Sequence, residues 1–233
     1  MTETLSASEV ISVLRQASRS LLDHHEELTE LDALTGDGDM GVTAQLISKA
    51  IEKCTASSET DIGKLLMTCG MEINRESPST FGTLLASAFV EAGKTVAGRT
   101  EVRIVDIPTV GRSAVDGIQR RGKSKIGEKT MLDCIVPALG SLERALSGSV
   151  NHTTAIRCAI EAAKEGAKNT INMAAIHGRA SYRQDHGIGV QDPGAVAVSY
   201  MIQSSGIALV DLIVRQSPME RVPCGKAQCS PTT

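Results

Sequence analysis

Apolar residues recur at helical spacing along most of the chain, and polar or glycine-rich segments separate the stripes. Val10, Val13, Leu14, Ala17, Leu21 and Leu22 give a long first helix its buried face, with Ser6 and Glu9 as a capping box at its start. Val42, Leu46, Ile47, Ala50, Ile51 and Cys54 mark a second helix. Ile62, Leu65, Leu66 and Cys69 mark a third over 61–74, and the small-residue stretch 77–86 opens a fourth that runs to about Lys94. Pro108 suits the first turn of a fifth helix, with Val110, Ala114, Val115 and Ile118 facing in. A sixth covers 130–146, an Ala-rich seventh 153–173, and an eighth 193–214 with Pro193 in its first turn. His24 and His25 point about 100° apart on a helix and read as a solvated helix end rather than as ligands.

Composition narrows this to one all-α domain of about eight antiparallel helices over 1–216. With 233 residues, 41% hydrophobic and 22% charged, the chain can bury a core of its own. It has no Trp, two Phe and two Tyr, so Leu, Ile, Val, Ala and Met must fill that core. The net charge of −3 offers no broad basic surface for nucleic acid, and the cluster from Arg120 to Lys125 reads as a solvated loop. We read no charge-free apolar segment of 18 residues and no signal peptide, and expect a cytoplasmic protein with no membrane partner. Of the six Cys, Cys54, Cys69, Cys134 and Cys158 fall among apolar helical positions and behave as small hydrophobes. Cys224 and Cys229 lie in a Pro/Gly/Ser-containing tail, 217–233, which is expected to be mobile.

The chemistry concentrates in residues 32–43, D-A-L-T-G-D-G-D-M-G-V-T. Asp32, Asp37 and Asp39 are interleaved with Gly36, Gly38 and Gly41, which let the backbone turn tightly enough to aim three carboxylates inward. Three Asp without Cys or His suit magnesium, which completes an octahedron with water or phosphate oxygens. D-G pairs also make plain turns. A hairpin would need alternating strands on both sides, whereas both flanks here have helical spacing. Nor is this an EF-hand, because Gly41 stands at the fifth loop position and Ser48 at the twelfth. The amides opening the second helix can hold an anion beside a metal.

Residues 32–41 also resemble the metal-binding signature of the dihydroxyacetone kinase L-subunit family. G-E-K-T-M-L-D at 127–133, H-G-R-A-S-Y at 177–182 and Q-D-P-G at 191–194 resemble its other motifs, in order and across nearly the whole chain. The resemblance implies a barrel-like bundle with a nucleotide–metal site at one end. It implies one or two Mg2+ on Asp32, Asp37 and Asp39, and ADP or ATP held by Met40, Gly41, Val42 and Thr43, the turn at Ser79, Thr80 and Phe81, Gly122 with Met131 about the adenine, and Asp192, Pro193 and Gly194. Phe81 departs from the family, which has a small hydroxyl residue there; a capped helix start with Phe81 in the core is the other reading. Arg179 adds a planar fork of donors matched to phosphate oxygens, on a loop shared with His177, Tyr182 and His186.

No P-loop or protein-kinase catalytic loop is present, so nucleotide chemistry would have to use the acidic turn. The family's keto-sugar sits on a separate K-type subunit, and nothing in this chain reads as a sugar site or a general base. The phosphate donor implied is ATP or a phosphotransferase-system protein. Met40 stands where phosphotransferase-dependent members carry His, which tilts the expectation to ATP or to a four-carbon ketose. The alternative is a non-catalytic nucleotide-binding module that signals its bound state to a protein partner.

Overall fold

The computed structural model describes residues 3–148 and 150–216, so the expected tail and its two cysteines lie outside the described residues. The helices are α1 (Ala7–Asp23), α2 (His25–Ala33), α3 (Met40–Thr55), α4 (Ile62–Glu76), α5 (Thr80–Thr95), α6 (Ile107–Gly122), α7 (Leu132–Ser147), α8 (His152–Asn169) and α9 (Pro193–Gln216). Several of their starts follow local capping chemistry. The Ser6 and Glu9 capping box opens α1, the Asp61 side chain accepts from the Lys64 amide to open α4, and Ser79 accepts from the Gly82 amide to open α5.

Eight of these helices form a closed ring, in which α1 packs on α3, each of α3 to α8 on its successor, and α9 back on α1. An up-and-down ring places alternate connections together. The turns before α3, α5, α7 and α9 therefore share one end, here termed the loop end, with four helix N-termini. The links before α4, α6 and α8 share the other. There β1 (Thr4–Ser6) pairs antiparallel with β2 (Glu101–Arg103), with Leu5 opposite Val102. We expected no strand. The two short strands satisfy backbone groups where the amino terminus meets the α5–α6 link, and Ala7 donates to the Thr100 carbonyl beside them at 3.2 Å.

The ring's interior is aliphatic, with Leu21, Ile47, Ile51, Ile73, Ile118 and Leu132 fully buried. Toward the strand end it is not filled. Leu5, Val10, Ile62, Val96, Val102 and Ala114 are among the residues lining an apolar cavity of about 270 Å³.

Several expectations need correction. α2 breaks the path from the first helix to the acidic turn, and only Leu28 of it is buried, so its stripe was too thin to read. His24 is not a solvated end. Its ring stacks on Tyr200 with centroids 3.8 Å apart, while Nδ1 meets the Ser20 carbonyl at 2.7 Å. Cys158 is exposed, unlike the buried Cys54, Cys69 and Cys134. Arg120 and Arg121 belong to α6 rather than to a loop, and Arg120 pairs with Glu91 at 2.6 Å. Residues 193–210 carry no charged side chain, and α9 is long and apolar enough to cross a membrane by length and composition. In the fold α9 is the closing stave of the ring, packed on α1, α7 and α8, with Ala195, Val196, Ala197 and Val198 buried.

Candidate functional site at the loop end

The acidic turn is shaped by contacts that leave no room for larger residues. Asp32, in the last turn of α2, accepts the Gly36 and Thr35 amides on its carbonyl at 2.6 and 3.1 Å and the Met40 amide on Oδ2 at 3.2 Å. Gly38 takes a left-handed φ of 73°. A Cβ on Gly41 would stand 2.0 Å from Thr29 Oγ1 and 2.3 Å from the His25 carbonyl, so only glycine lets α3 start this close to α2. Carboxylate oxygens of Asp32, Asp37 and Asp39 thereby lie within 4.8 Å of one another, with Asp32 the most enclosed. Partial burial and the neighbouring Asp32 charge hold Asp39 above the usual carboxylate range. An all-oxygen set with this self-repulsion fits a hard divalent cation such as Mg2+.

Arg179 completes the cluster. It lies in a short 3-10 turn, Arg179–Tyr182, and its Nη1 contacts Asp37 Oδ1 and stands 3.7 Å from Asp39 Oδ2. Nearby, His177 Nε2 meets Glu128 Oε2 at 2.8 Å. The Lys125 amide and the His177 side chain together hold Glu128 below the usual carboxylate range.

The other residues expected at the site divide into surface and core. Val42 is exposed at the start of α3, and Thr80 is exposed beside the capping Ser79. Met40, Phe81 and Met131 pack in the hydrophobic core, and Gly41 and Thr43 are buried. Phe81 follows the capped-helix reading: its ring lies 3.3 Å from where a Cβ on Gly194 would stand, which brings the starts of α5 and α9 together. Asp192 accepts from the Ala195 amide at 2.7 Å to cap α9 behind the buried Pro193. Burial pushes the Asp192 carboxyl up to about 7 against the pull of that amide and of Lys129. Gly122, expected in a loop, is the last residue of α6, and Lys123 follows in a left-handed conformation. The sixth helix begins at Leu132 rather than Thr130, because Asp133 turns back to accept the Gly127 and Thr130 amides at 2.5 and 2.7 Å.

Ser124 was missed, and no sequence signal marks it. Its hydroxyl is buried and has no hydrogen-bond partner, alone in this among the described residues. Such an orphan costs about 1–3 kcal/mol. It lies 3.5 Å from where a Cβ on Gly122 would stand, beside Leu84 of α5. An unpaired hydroxyl there fits a polar ligand edge, and four helix N-termini at this end fit an anion.

The eight-helix ring, with carboxylates and an arginine at one end, has the fold of a helical domain found in a solved dihydroxyacetone kinase. The crystal structure of the C. freundii enzyme shares the fold with a TM-score of 0.69 at 21% identity, over 89% of this chain and 36% of that one. The same enzyme in complex with AMP-PNP and Mg2+ gives a TM-score of 0.66. Residues 34–206 match the DAK2 domain, and the chain belongs to that family. The ADP-binding subunit DhaL of the Escherichia coli PEP-dependent dihydroxyacetone kinase is 32% identical over 206 residues, 88% of this chain and 98% of that one. The L-erythrulose 1-kinase of Mycolicibacterium smegmatis is 28% identical over 86% of this chain, which spans only 35% of that enzyme.

Proposed function

We propose that the chain is the nucleotide-binding subunit of a dihydroxyacetone-type kinase, which transfers a phosphoryl group to a short keto-sugar held on a separate K-type subunit. The observation that carries this reading is the convergence of Asp32, Asp37 and Asp39 within 4.8 Å, with Arg179 against them. One or two Mg2+ on the three carboxylates would neutralise and bridge the phosphate oxygens of ADP or ATP, which is the main requirement of phosphoryl transfer. Arg179 has exposed donors in a planar fork for the terminal phosphates. The N-termini of α3 and α5 add fixed partial positive charge. The unpaired Ser124 hydroxyl lies beside Gly122, which the resemblance puts near the base.

We place no general base and no sugar site in this chain. The K-type partner supplies the acceptor. A PEP-dependent kinase subunit and an L-erythrulose 1-kinase among the relatives support both a PEP-dependent route and an erythrulose acceptor, and Met40 in place of His favours ATP as donor. The test mixes purified protein with a K-type partner and dihydroxyacetone or erythrulose, with either ATP or a phosphotransferase donor. Transfer in the mixture and none by the chain alone is the expected result. Equal turnover by the chain alone contradicts the subunit reading, and nucleotide binding without transfer from any donor favours the signalling module.

A further inference from the structure

The loop that brings Arg179 to the acidic turn has little core of its own. None of residues 179–182 is buried, and Tyr182 is 91% exposed. A few backbone bonds shape it, including Ala175 to the His186 carbonyl at 2.9 Å and Gly189 to the Ile171 carbonyl at 2.8 Å. The largest buried charge beneath it is Lys129, only 3% exposed and with a left-handed φ of 59°. A side chain in that conformation persists only when its surroundings over-determine it. Lys129 Nζ donates to the Thr170 carbonyl at 2.5 Å and to the Val190 carbonyl, so one ammonium ties the two ends of the loop together. Burial lowers its pKa from the ordinary lysine value, while Asp192 and Asp133 favour the charged form.

The stem of the same side chain supports the middle of the loop. At Gly187, with φ 69°, a Cβ would stand 3.3 Å from Lys129 Cε, 3.3 Å from Ala180 Cβ and 3.4 Å from Thr35 Cγ2. The loop thus passes between the Lys129 stem and Thr35 of the acidic turn and against Ala180, the residue after Arg179. We propose that Lys129 is a positioning residue, which by holding the Thr170 and Val190 carbonyls keeps the 170–192 loop over the acidic turn and delivers Arg179 to the nucleotide phosphates. The inference rests on the function proposed above, and it gives Lys129 no contact with nucleotide.

The test is a double-mutant cycle read by calorimetry of ADP with excess Mg2+, together with hydrogen exchange over 171–191. Arg179→Ala and Lys129→Met should each weaken binding on the order of tenfold, and the double variant should be no weaker than the weaker single variant, because both remove the same contact. Exchange over 171–191 should quicken in Lys129→Met and stay unchanged in α3. Gly187→Ala, which strains a left-handed position and crowds the same contact while leaving the ammonium in place, should also weaken binding, and Lys129→Gln, too short to reach both carbonyls, decides the matter if Lys129→Met does not fold. Wild-type affinity in Lys129→Met or in Gly187→Ala, or losses that multiply in the double variant, overturns the positioning role. If the wild type binds no ADP with Mg2+, the functional reading fails, and unchanged exchange in Lys129→Met would then overturn the staple separately.

Discussion

The two ends of the ring are built to different rules. At the strand end, capped helix starts, a two-stranded sheet and ion pairs such as Arg103 with Asp106 close the barrel over apolar residues. At the loop end, acidic groups face one another, a lysine is buried and a hydroxyl is orphaned. Among the described residues every left-handed backbone position except Gly98 belongs to the loop end: Gly38, Lys123, Gly127, Lys129, Gly178, His186, Gly187 and Gly189. Strain and unpaired polar groups collect where a ligand can compensate them, and regular structure elsewhere supplies the stability that permits it.

The contrast can be tested from both sides. The largest stability effect should come from Ile62→Ala, which enlarges the apolar cavity at the strand end and should cost about 2–5 kcal/mol by denaturant unfolding while leaving ADP affinity unchanged. Asp37→Asn should do the reverse. It should weaken ADP binding tenfold or more, on the order of 1.4 kcal/mol, with an unchanged or higher melting temperature in the absence of metal, since it relieves repulsion among exposed carboxylates. Ser6→Ala removes the capping box at the strand end and should cost about 1 kcal/mol of stability with no effect on ligand. Ser124→Ala removes the orphan hydroxyl, so the free protein should be no less stable while ADP binds more weakly in a titration.

A separate effect concerns pH. Burial raises the Asp192 carboxyl to about 7, so its folded state holds a proton that the unfolded state has lost. Its contribution to stability is fully present below the unfolded value of about 3.9 and is lost as pH rises through 7. Asp192→Asn, which keeps a capping oxygen for α9, should flatten that part of a pH–stability profile measured by urea unfolding. A profile that keeps the wild-type slope between pH 4 and 7 would assign it to another group.

Much of the ring was legible because its signals are local. Apolar stripes and the caps at Ser6, Asp61 and Ser79 lie within a few residues of what they specify, and the G-D-G-D turn carries its carboxylates and its glycines in one segment. What escaped depends on distant partners. Lys129 reads as an unremarkable charge until the Thr170 and Val190 carbonyls, 41 and 61 residues on, are brought to it. His24 reads as solvated until Tyr200 stacks on it. The strands are three residues long and pair across almost the whole of α1 to α5, too short and too remote for any alternation to show. Met40 and Met131, assigned to the nucleotide by resemblance, also pack in the hydrophobic core through partners distant in sequence.

The most direct measurement is calorimetric titration of the purified chain with ADP, in excess Mg2+ and again in EDTA. Three clustered carboxylates cannot accept a diphosphate without a cation between them. Binding in Mg2+ that weakens at least tenfold in EDTA is the result expected. An ADP affinity that is the same in both would contradict a metal-dependent nucleotide site at the acidic turn.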